Sequence, residues 1–304
     1  MLRQFLLLYI FVFLCWLPSV LPDILSIIVD GKQIPVSASS LPITFPPAEV
    51  CQFLEGELDG SGDKRLVSGQ CTSVTIQNVA FRQGWGSHGG CLQLTGVKYF
   101  TLVNATFDSC SAEIAGGGVF VSAAPGFSLF AQLLRFEYSQ VVYTSASAFN
   151  SSFDSSVVGA GSGMYVELTE GDTPASIEIS DMEVRGCENE LRVQPPSTVK
   201  VLGGAVVFDW KANASATGAS IRLADISVVD TVSNMSLAYS NGCVASLFVL
   251  FAFRGGDARG ATFNYAGVSF QQSLLYAGGT HAVGVGAVWY ERGGDDVNIR
   301  IEKE

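Results

Sequence analysis

Seven times between Val74 and the end of the chain, one short apolar pattern returns: VTIQNVAF (74–81), FTLVNATF (100–107), LFAQLLRF (129–136), IEISDMEV (177–184), IRLADISV (221–228), FNYAGVSF (263–270) and VNIRIEKE (297–304). Each copy but the last is followed by a loop and a glycine-led apolar run: GGCLQL (89–94), GGGVFV (116–121), GSGMYVEL (161–168), GGAVVF (203–208), GCVASLFV (242–249) and GVGAVWY (284–290). A unit this short cannot bury its own apolar face, so successive copies must stack on one another.

Within each unit the apolar residues occupy positions 1, 3, 6 and 8. Positions 1 and 3 alternate as one face of a strand does. The phase then slips by one, which means that the chain turns a corner and starts a new strand with its inward face re-aimed. The corner residue is Asn78, Asn104, Leu133, Asp181, Asp225 or Gly267. All but Leu133 belong to types that tolerate a left-handed backbone. Glycine pairs ahead of the second run suit a bend where side chains would collide with the neighbouring turn of chain. Successive position-8 residues (Phe81, Phe107, Phe136, Val184, Val228, Phe270, Glu304) lie 26, 29, 48, 44, 42 and 34 apart, so the loops absorb the variation.

The expected fold is all-β, a right-handed parallel β-helix of about six to seven coils. At about 4.8 Å per rung this is a rod roughly 30 Å long. A sandwich of hairpins is the competing architecture, disfavoured because two-residue Asn-Gly or Asp-Gly hairpins are expected to be absent and because a corner recurs at one place. Residues 23–70, with Pro35, Pro42, Pro46 and Pro47 and then Cys51 and Cys71, are expected to cap the first coil and shield its open edge. Residues 71–304 are the repeats, expected to be incomplete at the C-terminal end.

Residues 1–22 have the pattern of a signal peptide: Arg3, then an apolar stretch from Phe5 to Leu17, then Pro18 and Pro22. Ser19 is the best small residue for cleavage. An uncleaved signal-anchor is the alternative, opposed by the early Asp23, because a spanning helix needs about 20 apolar residues. The apolar run from Val244 to Phe253 is too short to span and is expected to be a buried strand. Setting aside Cys15, six cysteines remain, an even number that permits disulfides in an exported chain. Cys51–Cys71 is the favoured bridge. Cys110 and Cys187 occupy the same repeat position and are as readily buried free thiols. The sequons Asn104-Ala105-Thr106, Asn150-Ser151-Ser152, Asn213-Ala214-Ser215 and Asn234-Met235-Ser236 mark glycosylation candidates. The last three are expected in loops, while Asn104 lies inside a repeat and is expected to stay unmodified.

A net charge of −11 and the lack of a basic patch argue against a nucleic-acid partner. Glycine-pair strands alternating with strands that end in an aromatic resemble the pectin-lyase-like superfamily of parallel β-helices. The nearest pattern is the GGA[ILV] plus FxxN repeat of chlamydial polymorphic membrane proteins and related protist surface proteins. GGAVVF carries the first motif, with GGCLQL and GGGVFV as looser copies. FDSC (107–110) and FRQG (81–84) are altered forms of the second. The resemblance covers about residues 70–304 and implies the fold.

Polysaccharide-cleaving β-helices need clustered carboxylates around the scissile bond. Here Ser87-His88-Gly89 and Asp295-Asp296 stand in reversed order, and Arg254, Arg259 and Arg292 with Asp257 and Asp295 follow no matching motif. His88 and His281 are expected to be solvated loop residues. No catalytic residue, cofactor or metal is assigned. The expected function is a secreted or cell-surface, non-enzymatic protein for adhesion or display, showing loops 137–160, 188–202 and 229–241 to an extracellular glycan or protein ligand. Membrane association is expected only through an anchor outside this chain or an uncleaved signal. The alternative is a secreted polysaccharide-binding or polysaccharide-degrading β-helix.

Overall fold

The computed structural model describes residues 25–36, 41–144, 157–169, 175–195, 200–211, 214–237, 243–254, 258–277, 280–290 and 298–302. It is all-β, with 75% strand and no helix among the described residues. Strands β1 (Ser26–Val29) and β2 (Lys32–Ile34) form an antiparallel hairpin. Its turn is Asp30-Gly31, with φ of 47° and 76°, so one two-residue hairpin is present, outside the repeats. Both φ values are positive, as the turns that match the twist of paired strands require. β1 also runs antiparallel to β3 (Ile43–Asp59).

From β3 onward every described pairing is parallel. The chain continues through β4 (Val67–Arg82), β5 (Trp85–His88), β6 (Leu92–Asp108), β7 (Ser111–Ala115), β8 (Val119–Glu137) and β9 (Gln140–Tyr143). Beyond β9 each long strand is replaced by two. The units are β10 (Val157–Leu168), β11 (Ser176–Arg185) and β12 (Glu188–Leu191), then β13 (Lys200–Trp210), β14 (Ser220–Val229) and β15 (Val232–Met235). β16 (Cys243–Phe253), β17 (Thr262–Gln271) and β18 (Leu274–Ala277) follow, with β19 (Thr280–Tyr290) and β20 (Asn298–Glu302) last. β3 pairs with β4, β4 to β7 each pair with the strand two places on, β8 pairs with both β10 and β11, and from β9 each strand pairs with the one three places on. Fourteen strands form one sheet and six short ones the other, a parallel arrangement compatible with a solenoid.

The phase slip is a bend of the backbone. Asn78, Asn104, Leu133, Asp181, Asp225 and Gly267 have φ of 54°, 50°, 55°, 53°, 53° and 59°. Leu133 adopts the strained conformation although its side chain gains nothing from it, being 49% exposed. In each of these six rungs a second left-handed residue follows five positions later: Gln83, Ser109, Tyr138, Gly186, Asp230 and Gln272. Between the two corners lies the position-8 residue, buried from Phe81 to Val228 and half-buried at Phe270. Phe81, Phe107 and Phe136 stack along the rungs with ring centroids 5.1 and 5.4 Å apart.

Parallel pairing already begins at Ile43, where β3 aligns Cys51, Phe53 and Leu58 with Val74, Ile76 and Phe81. Glu55 there takes the corner conformation, φ 46°. The stack therefore extends into residues 23–70, the segment expected to lie outside the repeats. Glycine is demanded by close approach: a Cβ on Gly117 would fall 2.1 Å from the Ser162 carbonyl oxygen, and one on Gly163 would meet the Phe136 ring at 2.6 Å.

The regions expected as display loops are partly strand. Loops 137–160, 188–202 and 229–241 contain β9, β12 and β15, four residues each, alternating half-buried and buried. Four residues are too few for a periodic pattern to stand out in the sequence. The apolar run Val244–Phe253 is the body of β16, as expected of a buried strand.

Candidate functional site

The strands of the longer rungs are buried on both faces. Val166, Phe208 and Phe251 point into the main core, while Phe120, Tyr165, Val207 and Leu250 form part of a second apolar cluster on the opposite face. Two residues further along that face, period-two alternation brings Glu167 and Asp209 side by side. Beyond them stand Lys211 and Arg254. Asp209 is fully buried, Arg254 is 3% and Glu167 7% exposed.

The four charges sum to zero and are saturated with one another. The Arg254 guanidinium donates from Nε to Asp209 Oδ1 at 2.7 Å and from its terminal nitrogen to Oδ2. The Tyr165 hydroxyl also donates to Oδ2, and Lys211 Nζ lies 3.3 Å from it and 2.7 Å from Glu167 Oε1. Burial first, and then the Asp209 charge, push the Tyr165 hydroxyl well above its ordinary value, so it stays a donor. A carboxylate whose two oxygens already accept from three groups has little capacity left for acid–base work. The cluster is an ionic lock, in which each charge is held by its neighbours.

A more open region lies on the outer face of the six-stranded sheet. A groove of about 270 Å³ is lined by Trp85, Ser111, Glu113, Gln140, Thr144 and Arg192, with Ala112 and Val142 in the floor. The Trp85 side chain is 47% exposed. Arg192 is held by Glu190 at 2.6 Å. An indole beside amide, hydroxyl, carboxylate and guanidinium groups can stack on one face of a ligand while those groups hydrogen-bond its edge.

His88 lies at the end of β5 and is half-buried, not solvated. Its ring meets Phe120 edge-on at 5.0 Å. Burial first, then the Arg65 and Lys211 charges, lower its pKa to about 4. His281 lies within β19. Among the described residues no three His, Cys, Asp or Glu side chains are grouped to hold a metal ion.

Cys51 and Cys71 lie at disulfide distance, Cα atoms 6.3 Å apart, and so do Cys91 and Cys110 at 5.5 Å. Cys51 and Cys71 lie on the paired strands β3 and β4, while Cys91 and Cys110 flank β6. Cys110 is thus partnered, while Cys187, at the same repeat position, is a free buried thiol pushed up to about 12 by desolvation. Two pairs of this kind belong to the chemistry of an oxidising environment. Along the stack, position 110 becomes Ser139, Cys187, Thr231 and Ser273, small polar residues three after the position-8 residue. Ser139 Oγ and Cys187 Sγ donate to the carbonyls of Phe107 and Phe136, one rung back, at 3.2 and 3.5 Å.

Among the sequons, Asn104 is exposed at its corner. Asn234 lies on β15 instead of a loop, its Oδ1 accepting from Ser236 Oγ at 2.8 Å. Asn150, Asn213, Asp257, Arg292, Asp295 and Asp296, and the segment 1–24 that holds the expected signal, lie outside the described residues. Arg254 is the one residue weighed for chemistry from sequence that joins the ionic cluster. Glu167, Asp209 and Lys211 were not singled out, although charges spaced two apart after an apolar run (YVE, VVFDWK) are the available signal. Comparison of the chain with family models, with curated proteins and with solved structures finds no match in any of the three.

Proposed function

We propose that this chain is an exported, non-enzymatic, right-handed parallel β-helix that serves at the cell surface or outside the cell, binding a glycan or protein ligand. The observation that carries it is the parallel stack itself, with two pairs of cysteines at disulfide distance within it. Such a stack is rigid and needs an oxidising compartment to complete it. The resemblance to pectin-lyase-like and polymorphic-membrane-protein repeats points the same way. The saturated ionic cluster favours a structural over a catalytic role for the most concentrated charges. The Trp85 groove favours sugar binding without cleavage as the form of contact.

The test combines localisation with ligand capture. Expressed under its own N-terminal segment, the chain should reach the medium or cell surface and yield the two cysteine pairs in a non-reducing peptide map. A glycan array should then give signals that Trp85→Ala abolishes. Retention inside the cell with reduced cysteines would overturn the proposal. Release of reducing or unsaturated ends from polygalacturonate would replace it with the degradative alternative.

A further inference from the structure

Of the two sequons among the described residues, the one inside a repeat is the more exposed. Asn104 is the corner residue of β6, and its left-handed conformation breaks the alternation that would otherwise bury every second side chain. It is exposed, and Thr106, the hydroxyl residue of the sequon, follows on the same rung, half-buried. Both line a groove of about 310 Å³ with Gly56, Glu57, Asn78 and Val79, near the lower end of small-ligand site volumes. Asn104 Nδ2 donates to Asn78 Oδ1 of the preceding rung at 2.9 Å. That bond uses one amide hydrogen and leaves the second to be replaced.

We propose that Asn104 is an N-glycosylation site whose first sugar settles in this groove. In the transfer, Asn104 Nδ2 bonds to the anomeric carbon of a lipid-linked oligosaccharide diphosphate. The bond from that carbon to the diphosphate oxygen breaks and its electron pair leaves with the lipid diphosphate. One amide proton passes to solvent, and the remaining N–H keeps its bond to Asn78. The sugar then covers the exposed backbone of the bend and packs beside Glu57 and Asn78. This inference rests on export, because the lipid-linked donor and its transferase are encountered only on that route.

The full chain is therefore expressed in a eukaryotic secretory host twice, under its own N-terminal segment and behind a leader already known to direct export. Enzymatic deglycosylation in heavy-oxygen water converts each occupied asparagine to labelled aspartate, read by peptide mass spectrometry. Label at Asn104 in most molecules is the expected result, and Thr106→Ala should remove one glycan from the intact mass. Unlabelled Asn104 in material exported behind the known leader overturns the proposal, whatever happens at Asn150, Asn213 and Asn234. Label with the known leader but not with the chain's own segment would sink export while leaving the site standing. Trimmed to single sugars, the wild-type chain should melt roughly 2 °C above the identically treated Thr106→Ala variant, and Thr106→Val should reproduce that lower value. Equal melting of all three would show the sugar projecting into solvent instead of filling the groove.

Discussion

Between Ile43 and Glu137 the described side chains that reach full burial are apolar; from Ser139 onward the interior also takes in Ser162, Glu167, Asn189, Asp209, Thr231, Ser233, Ser246 and Arg254. The first region has coils of 26 and 29 residues and both cysteine pairs. The second has coils of 48, 44 and 42 residues and the ionic cluster. Longer coils accompany a sheet buried on both faces, and a charge on the outer face then becomes an interior charge that needs a partner. Four polar atoms in this half, Asn189 Oδ1, Trp210 Nε1, Ser233 Oγ and Ser246 Oγ, have no protein partner, the setting in which buried water is found. One stacking scheme is thus held together by covalent links at one end and by electrostatics at the other.

Arg254→Met tests the second half and should have the largest effect. It leaves Asp209 buried without its main counter-charge, at a cost of about 3–5 kcal/mol. Adding Asp209→Leu should restore much of the loss, read as the urea midpoint. Hydrogen exchange on the single variant tells whether protection falls only from β10 to β17 or through β3 to β8 as well; the former result would make the halves separate folding units. For the first half, Cys91→Ala with Cys110→Ala opens a loop of 19 residues and should cost about 3 kcal/mol. Reduction of the wild-type chain opens Cys51–Cys71 as well and should cost more than the double variant, with Cys187 still protected from alkylation.

Acid should act on the first half. His88 is held at about 4, below its ordinary 6.5, so the unfolded chain takes up this proton first. Its contribution is complete above pH 6.5, falls between about 6.5 and 4, and is constant below that. His88→Phe, measured by urea midpoints at pH 7 and 4.5, should flatten this part of the acid profile. Smallest is Leu133→Asn: relief of the left-handed strain should raise stability by about 1 kcal/mol. An unchanged or lower midpoint would mean that Leu133 earns its place through packing.

The first corner was legible because its conformation restricts residue type and its phase slip is visible in the apolar pattern. All six positions take the left-handed conformation, Leu133 included. The second corner was hidden, since Gln83, Ser109, Tyr138, Asp230 and Gln272 share no chemistry that marks a turn. The rung at β3 was hidden for another reason: Pro46 and Pro47 read as breakers, and the corner pair Glu55-Gly56 lacks the apolar residue that the other rungs place after the bend. The ionic cluster needed the alignment of Glu167 with Asp209 across β10 and β13, strands separated by more than thirty residues of chain. No periodicity within one strand contains that information.

The five-residue step between the two left-handed positions, kept in the six rungs from Asn78 to Gln272, has a consequence for how such a chain can change over time. Whatever is inserted elsewhere in a coil, this segment delivers the backbone to the short strand at the same angle, so one coil's growth does not accumulate as misalignment in the next. Coils can lengthen, shorten or be duplicated independently, like beads of different size threaded on one indexed shaft.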